Sequence, residues 1–425
     1  MREMKDSGIE WIGNVPATWE RCKIKNVISS IGSGTTPTSS NIDYYNSEDI
    51  CWIQSGDLYK TSYISNTAVS LSAKALHLSA LQIYAAPFIV VAMYGASVGN
   101  IAISTIDACS NQACCCIKPD NNNDLKFMYY WLSMCKIDFL SQSIGGGQPN
   151  ISQSKIKNQF YYRPQLSEQK VIANFLDSKC SEIDAISADI QKEIEILEQY
   201  KRSVITEAVT KGLNPDVEMK DSGIEWVGNI PAHWDVRPLY YYFAERKKKN
   251  YLGQEQNLLS LSYGKVIRKD INTSEGLLPD SFNGYNIIES GDIVLRLTDL
   301  QNDKRSLRTG LVKEHGIITS AYVTLKAAKE VVPEYFHYLL HAYDVMKVLY
   351  NMGNGVRQGL NYSELSKMHI VAPPIDEQKN IAAYLDAKCK EIESIIESKK
   401  QQLTVIDSYK KSLIYEYVTG KKEVI

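Results

Sequence analysis

Three consecutive cysteines, Cys114-Cys115-Cys116, are the densest set of potential metal ligands in this 425-residue chain. With Ala113 and Ile117 they read as a strand, and Pro119-Asp120 as its stop. Adjacent side chains on a strand point to opposite faces, so the three thiols cannot converge on one tetrahedral ion. No Cys-x-x-Cys occurs, and the run reads as small buried hydrophobes. His337 and His341 share a helical face at i, i+4 spacing and could ligate zinc, but no carboxylate or cysteine completes the pattern. Glu245-Arg246-Lys247 echoes the end of a nuclease Asp…Glu-x-Lys set without a convincing upstream acid. Arg246 to Lys249 therefore read as a solvated or phosphate-facing basic run. There is no Gly-x-x-x-x-Gly-Lys-Ser/Thr loop, and no Gly-x-Gly-x-x-Gly follows a strand. Gly145-Gly146-Gly147 lacks a following helix with a lysine and reads as a flexible loop touching a ligand backbone. The expectation is a chain without catalytic residues, metal or cofactor of its own.

The elements that carry these residues are repeated. Residues 4–20 and 219–235 agree at nearly every position over Met-Lys-Asp-Ser-Gly-Ile-Glu-Trp-(Ile/Val)-Gly-Asn-(Val/Ile)-Pro-Ala-(Thr/His)-Trp-(Glu/Asp). Trp11, Pro16 and Trp19, with Trp226, Pro231 and Trp234, read as packing anchors of an irregular strap. A second repeated stretch opens with Glu168-Gln169-Lys170 and again with Glu377-Gln378-Lys379. Each opening leads into a 4-3 apolar alternation that predicts a coiled-coil seam. The first run is Leu176, Cys180, Ile183, Ser187, Ile190, Ile194, Leu197, Lys201, Val204, Ala208. The second is Leu385, Cys389, Ile392, Ile396, Lys399, Leu403, Ile406, Lys410, Leu413, Tyr417. Ser167 and Asp376 are the expected N-caps, and Gly212 and Gly420 the stops. Each helix then spans about 45 residues, or roughly 65 Å. Lys201 and Lys410 occupy matching seam positions, either fixing register or laying long stems along the seam with their ammoniums in water.

Two unlike segments fill the repeated frame. In 20–163, Ile50 to Ile53 and Phe88 to Val91 read as buried strands, and Asp124 to Leu140 as a helix capped by Asp124. In 235–372, Ile293 to Leu295 is the matching strand, Pro333 to Tyr350 the matching helix, and Gly353 to Gly359 the matching glycine-rich loop. The boundaries are a leader at 1–19, a segment at 20–163 and a helix at 164–214. They continue with a leader at 215–234, a segment at 235–372 and a helix at 373–425. Overall net charge is −2, but 20–163 carries 11 basic and 9 acidic residues and 235–372 carries 18 and 15. Both large segments are mildly basic, a weak pointer to an anionic partner. Hydrophobic content of 44% fits an ordinary globular protein. No membrane-length apolar run or signal-peptide core is present, and nine cysteines fit reduced thiols, so a cytoplasmic location is expected.

The doubled leaders, the doubled Pro…Glu-Gln-Lys helix openings, and the loops Gln148-Pro149-Asn150-Ile151-Ser152 and Gln358-Gly359-Leu360-Asn361 closely resemble the specificity (S) subunit of Type I DNA restriction-modification systems. The resemblance covers essentially the whole chain. It implies an α+β fold with two mixed α/β target recognition domains separated by two long helices. These would form an antiparallel coiled coil within an internal pseudo-two-fold repeat, and the leader position suits the circular arrangement expected of the family. It also implies a bipartite, asymmetric target on double-stranded DNA, two methyltransferase (M) subunits and nuclease-translocase (R) subunits as partners, and no membrane. S-adenosylmethionine, ATP and magnesium would sit on those partners, with none in this chain. A self-contained nuclease acting at a split site is the rival reading, and a purely structural coiled-coil protein a third.

Side-chain chemistry and loop placement select the base-reading candidates. In the first segment they are Thr35, Thr36, Gln54, Ser55, Tyr94, Ser97, Asn111 and Gln148; in the second, Lys265, Arg268, Arg296, Thr298, Arg305, Arg308, Arg357 and Gln358. The seam suggests a stiff strut between two readers. Inserting four residues within Ile183–Leu197 adds about 6 Å and roughly 40° beyond a full turn. At about 3.4 Å per base pair, a folded variant should keep both half-sites and accept a spacer longer by one or two base pairs. Methylome sequencing checks this, and efficient modification at the original spacer refutes it.

Overall fold

The computed structural model describes residues 2–59, 61–79, 81–141, 149–271, 281–300, 307–352 and 359–424. The chain is α+β and forms two compact units, Met1–Ile190 with Gln401–Ile425, and Gln191–Lys400. Four helices position the candidate residues: α1 (Leu125–Met134), α2 (Leu166–Lys211), α3 (Pro333–Val345) and α4 (Ile375–Val418). Each unit holds one leader, one unlike segment, the start of one long helix and the end of the other.

In the first unit the leader is a hairpin in which Met4–Asp6 pairs antiparallel with Asn14–Pro16. A five-stranded sheet follows in the order Ile28–Ser33, Cys114–Pro119, Phe88–Ala92, Ile101–Ser104, Tyr63–Ile64. Its central strands are buried on both faces, which is why they read as unbroken apolar runs. Cys115 and Ile117 pack with Ile89, Val91, Phe127 and Trp131 on one face. Cys114 and Cys116 pack with Phe88 and Val90 on the other. The triple cysteine is thus fully buried and split between two cores, and burial pushes the Cys116 thiol up to about 12. The second unit repeats the order with Phe243–Glu245, Val323–Ala327, Ile293–Leu295 and Thr309–Leu311.

The seam prediction holds in each unit. Leu176, Ile183, Ile190, Ile194, Leu385, Ile392 and Ile396 are buried, and Leu197, Leu403 and Ile406 are half-buried. In the first unit Phe175 stacks on Tyr417 with ring centroids 4.5 Å apart, and Lys410 Nζ reaches Asp184 at 2.6 Å. In the second, Lys399 pairs with Glu193 at 2.5 Å and Lys201 with Glu393. Partner numbers fall on one helix as they rise on the other, so the helices run antiparallel. All three seam lysines therefore end on a carboxylate of the facing helix.

Three boundaries differ from expectation. The helix expected over Asp124 to Leu140 stops at Met134, where Cys135 turns the chain before a short helix, Lys136–Ser141. The one expected over Pro333 to Tyr350 stops at Val345, because Lys347 adopts a left-handed φ of 64°. Ser167 and Asp376 lie inside the first turn, since helical bonding already begins with Gln169 N–H to the Gln165 carbonyl and Gln378 N–H to the Pro374 carbonyl. Asp124 does cap α1, accepting from Lys126 and Phe127 N–H at 3.0 and 2.9 Å. Gly212 and Gly420 end their helices with φ of 77° and 67°. A side chain at Gly420 would strike Pro16, and one at Gly212 would crowd Trp234.

The repeated Glu-Gln opening has a mechanical explanation. Trp19 Nε1 donates to the Glu168 carboxylate at 3.2 Å, and Trp234 Nε1 to Glu377 at 2.9 Å. The adjacent glutamine is buried in both units. Gln169 Oε1 accepts the Asp124 N–H at 2.7 Å while its Nε2 donates to the Pro164 carbonyl at 2.9 Å. Gln378 does the same for Val332 N–H at 3.0 Å and the Pro373 carbonyl at 2.8 Å. Removing such a group strands two buried backbone polar atoms. Gln169→Ala and Gln378→Ala should each cost about 1–3 kcal/mol, while exposed Lys170→Ala stays within about 0.5 kcal/mol. Urea unfolding followed by circular dichroism checks the difference.

Candidate nucleic-acid interface

Seven of the first segment's candidates come together at one edge of its sheets. Gly34 N–H donates to Ser110 Oγ at 3.1 Å, and a Cβ on Gly34 would collide with the Ser110 carbonyl. The backbone is thereby held against the 110–112 turn, and exposed Thr36 donates to Gln112 Oε1 at 2.6 Å. Thr35 beside it is half-buried. Asn111 N–H reaches the Ile53 carbonyl at 3.0 Å, and Asn111 Oδ1 accepts from Ala113 N–H at 3.0 Å. That contact places Gln54 and Ser55 alongside, in a turn fixed by Gln54 N–H to Asp57 at 2.8 Å. Met93 N–H bonds the Ala113 carbonyl at 2.8 Å, which brings Tyr94 next, 46% exposed, with Ser97 Oγ on its carbonyl at 3.1 Å. Gln148 lies outside the described residues, but its neighbour Pro149 accepts the Gly95 N–H at 2.9 Å. Gln112 went unpredicted; its position directly after Asn111 in the same turn was the available signal. Hydroxyls, amides and one phenol dominate this edge, groups suited to donor and acceptor patterns on bases.

The second segment is built on the same joint. Ile151 N–H bonds the Met93 carbonyl in the first unit, and Leu360 N–H bonds the Leu297 carbonyl in the second, both at 2.9 Å. Exposed Thr298 and half-buried Arg296 follow the central strand at this joint. Arg305, Arg357 and Gln358 lie outside the described residues. Lys265 and Arg268 stand on the hairpin Leu259–Ser262 with Lys265–Arg268, both exposed. Lys265 Nζ lies 3.6 Å from Glu393, and Arg268 Nε is 2.7 Å from Glu314. Arg268 therefore carries an offset charge. The hairpin tip, Tyr263-Gly264, has φ of 45° and 77°, and Tyr263 is 86% exposed. It too escaped prediction, although Ser-Tyr-Gly-Lys between alternating residues marks a tight hairpin.

Arg308 requires a correction, because its side chain is completely buried. Its Nη1 donates to the Arg296 and Thr298 carbonyls at 3.1 and 2.8 Å, Nη2 to the Asp299 carbonyl at 3.1 Å, and Nε to Tyr350 Oη at 3.2 Å. Arg308 shapes the 296–299 loop from beneath and cannot meet a base edge.

Arg246 pairs with Asp292 at 2.5 Å and Lys247 with Glu245 at 2.8 Å, so the Glu245-Arg246-Lys247 trio is spent on ion pairs. The His337 and His341 rings lie 6.3 Å apart, and burial pulls them down to about 3 and about 4, leaving both neutral near pH 7. Among the described residues no group of three or more His, Cys, Asp or Glu could hold a metal, and no helix is long and apolar enough to cross a membrane.

Arg308→Ala strands three carbonyls and should destabilise the chain by about 3 kcal/mol or more. Where it stays folded, the salt dependence of DNA binding should be unchanged. If Lys265 meets a phosphate, Lys265→Ala should instead lower the slope of log K against log salt by about 0.9. Thermal melts and filter binding over a salt series check both.

Known proteins share this architecture. The type I restriction enzyme MjaVIII specificity subunit of Methanocaldococcus jannaschii is 26% identical over 315 residues, covering 70% of each chain. A relative from the same organism, bearing the MjaX specificity-subunit name, is 27% identical over 283 residues; the match spans 65% of this chain and 62% of that relative's length. A solved structure concerned with complex assembly and conformational transition of the type I R-M system shares the fold. Its TM-score is 0.69 at 12% identity, covering 95% of this chain and 98% of the other. Residues 16–196 and 277–405, well over half the sequence, match the Type I restriction modification DNA specificity domain, and the chain belongs to that family.

Proposed function

We propose that this chain is the DNA-reading, non-catalytic subunit of a Type I restriction-modification complex in the cytoplasm. Each unlike segment reads one half of a bipartite, asymmetric target on double-stranded DNA. In this reading the target recognition domains are residues 20–163 and 235–372. Two methyltransferase subunits and the nuclease-translocase subunits dock on the shared frame and bring S-adenosylmethionine, ATP and magnesium with them.

The observation that supports this reading best is a pair of equivalent locks around inserts of unlike sequence. Glu168 and Gln169 in one unit and Glu377 and Gln378 in the other hold a leader tryptophan and the first turn of a segment helix. Side chains at the loop ends are free to vary because the lock meets backbone groups at the segment helix. The first edge is rich in hydroxyls and amides. The second hairpin offers Tyr263, Lys265 and Arg268. Two chemistries on one mounting suit two different half-sites, with phosphate contacts fixing position and base contacts fixing sequence.

Replacing residues 20–163 with the matching segment of a relative should change one half of the methylated sequence and leave the other intact. Methylome sequencing of cells carrying the hybrid and its methyltransferase decides it. A change in both halves, or in neither, counts against the reading. In the same experiment the purified chain alone should cut no DNA with magnesium.

A further inference from the structure

The hairpin tip at Tyr263-Gly264 carries a conformational cost that the fold does not require. Leu259–Ser262 pairs antiparallel with Lys265–Arg268, and Ser262 stands directly opposite Lys265, so two residues alone make the turn. Both are left-handed, with φ of 45° and 77°, as a type I′ turn demands. Glycine and asparagine accept that backbone readily, and a bulky aromatic residue does not. Tyr263 nevertheless occupies the first position, and 86% of its surface lies in solvent. Among the described residues no hydrogen bond or ring contact engages it. Packing therefore gives no reason for an aromatic residue at this point.

The rest of the hairpin is firmly seated. Leu261 and Val266 close over Gly310, where an added Cβ would meet their side chains at 2.5 and 3.0 Å. A Cβ on Gly264 would come within 3.2 Å of Leu307. Leu307 adjoins Arg308, whose guanidinium gathers the Arg296, Thr298 and Asp299 carbonyls. The tip thus stands beside the 296–299 loop, at the sheet end where Leu360 N–H bonds the Leu297 carbonyl. Two other non-glycine residues among those described are left-handed, Asp299 and Lys347, and both flank the same arginine. Asp299 does so through its carbonyl, and Lys347 through Tyr350 Oη, which lies 3.2 Å from both Lys347 Nζ and Arg308 Nε. Strained backbone is thereby concentrated at one end of this unit, as it is at functional edges.

Charge and shape select the occupant. Residues 259–269 hold three cations, Lys265, Arg268 and Lys269, and no carboxylate. Lys265 and Arg268 lean on Glu393 and Glu314, yet all three cations stay exposed. A two-stranded ribbon fits the major groove of B-DNA, and its cations suit the flanking phosphates. A flat ring at the tip offers a surface on which a base or a thymine methyl packs. A broad apolar face would fit a protein; one ring amid positive charge fits nucleic acid. The first unit has no counterpart, because the matching edge of its sheet is the short parallel strand Tyr63–Ile64.

We infer that the Leu259–Arg268 hairpin is a β-ribbon reader that enters the major groove of the second half-site, with Tyr263 at its tip as a specificity-determining residue. The inference rests on the functional reading above and deepens it. Contact with a base gives the strained, exposed tyrosine a role that the folded chain alone does not.

The test uses the full chain co-expressed with its methyltransferase, as wild type, Tyr263→Asn and Tyr263→Gly. Both replacements suit a left-handed turn, so melting temperatures should match or exceed wild type. Fluorescence anisotropy on a duplex carrying the methylated sequence should show binding weakened about tenfold or more. Affinity for a duplex lacking that sequence should stay unchanged. Methylome sequencing should show relaxed choice at one position of the half-site read by 235–372, with the other half intact. Stability kept or gained while selectivity is lost is a result that a merely structural tyrosine does not give. If the wild-type complex methylates a bipartite target and both variants keep its sequence and affinity, the inference falls alone. It also falls alone if both variants lose binding only together with the fold. A wild-type complex without sequence-selective methylation overturns the functional reading and this inference with it.

Discussion

A buried indole N–H needs an acceptor, and in both units the acceptor is a carboxylate on the first turn of a long helix. Glu168 and Glu377 sit where the helix dipole favours negative charge, so one group satisfies the tryptophan and stabilises the helix start. The next residue, Gln169 or Gln378, turns inward and joins the segment helix to the chain entering the long helix. Leader, segment and coiled-coil strand are therefore fixed by two adjacent side chains. The rest of each unit is built outward from that point.

The lock tolerates divergence because its contact with the segment is made through backbone. Gln169 meets the N–H of Asp124 and Gln378 that of Val332, residues with nothing chemically in common. The joint between the central strand and the returning loop is likewise backbone to backbone, Ile151 to Met93 and Leu360 to Leu297. Side chains at both points can be replaced without loosening the frame. Two segments of unrelated surface chemistry can then share one sheet order.

Among the described residues of the second segment, several cations are committed internally. Arg246, Arg268 and Arg308 meet Asp292, Glu314 and a ring of carbonyls, respectively. A mildly positive segment therefore presents fewer available cations than its composition suggests. His315, between Glu255 and Glu289 at 2.8 and 2.7 Å, is held above its ordinary value by the bond to Glu289. Burial holds His337 and His341 below theirs. The histidines thus pull stability in opposite directions. The His315 contribution is present below about pH 6.5 and lost as pH rises through its folded value. The α3 pair costs stability as pH falls from about 6.5 towards about 4 and about 3.

The sequence by itself determined the periodic and the repeated. Heptad spacing marked the seam from Leu176 to Ile406, and glycine marked the stops at Gly212 and Gly420, because both signals are local backbone and burial rules. The doubling of leaders and helix openings announced a two-fold design. What the repeats were for was not legible. Glu168 and Gln169 act on Trp19 and Asp124, residues far away in the chain, and no local pattern reports such a pairing. For the candidate edge the sequence offered only residue types: polar loop residues were selected by their chemistry, and the structure brings seven of them to one edge. Arg308 shows where that method ends. Its chemistry is that of a surface arginine, yet its neighbours on three sides are carbonyls of its own unit. Whether an arginine meets solvent or a buried loop depends on which distant segments close over it. Only the tertiary structure decides that.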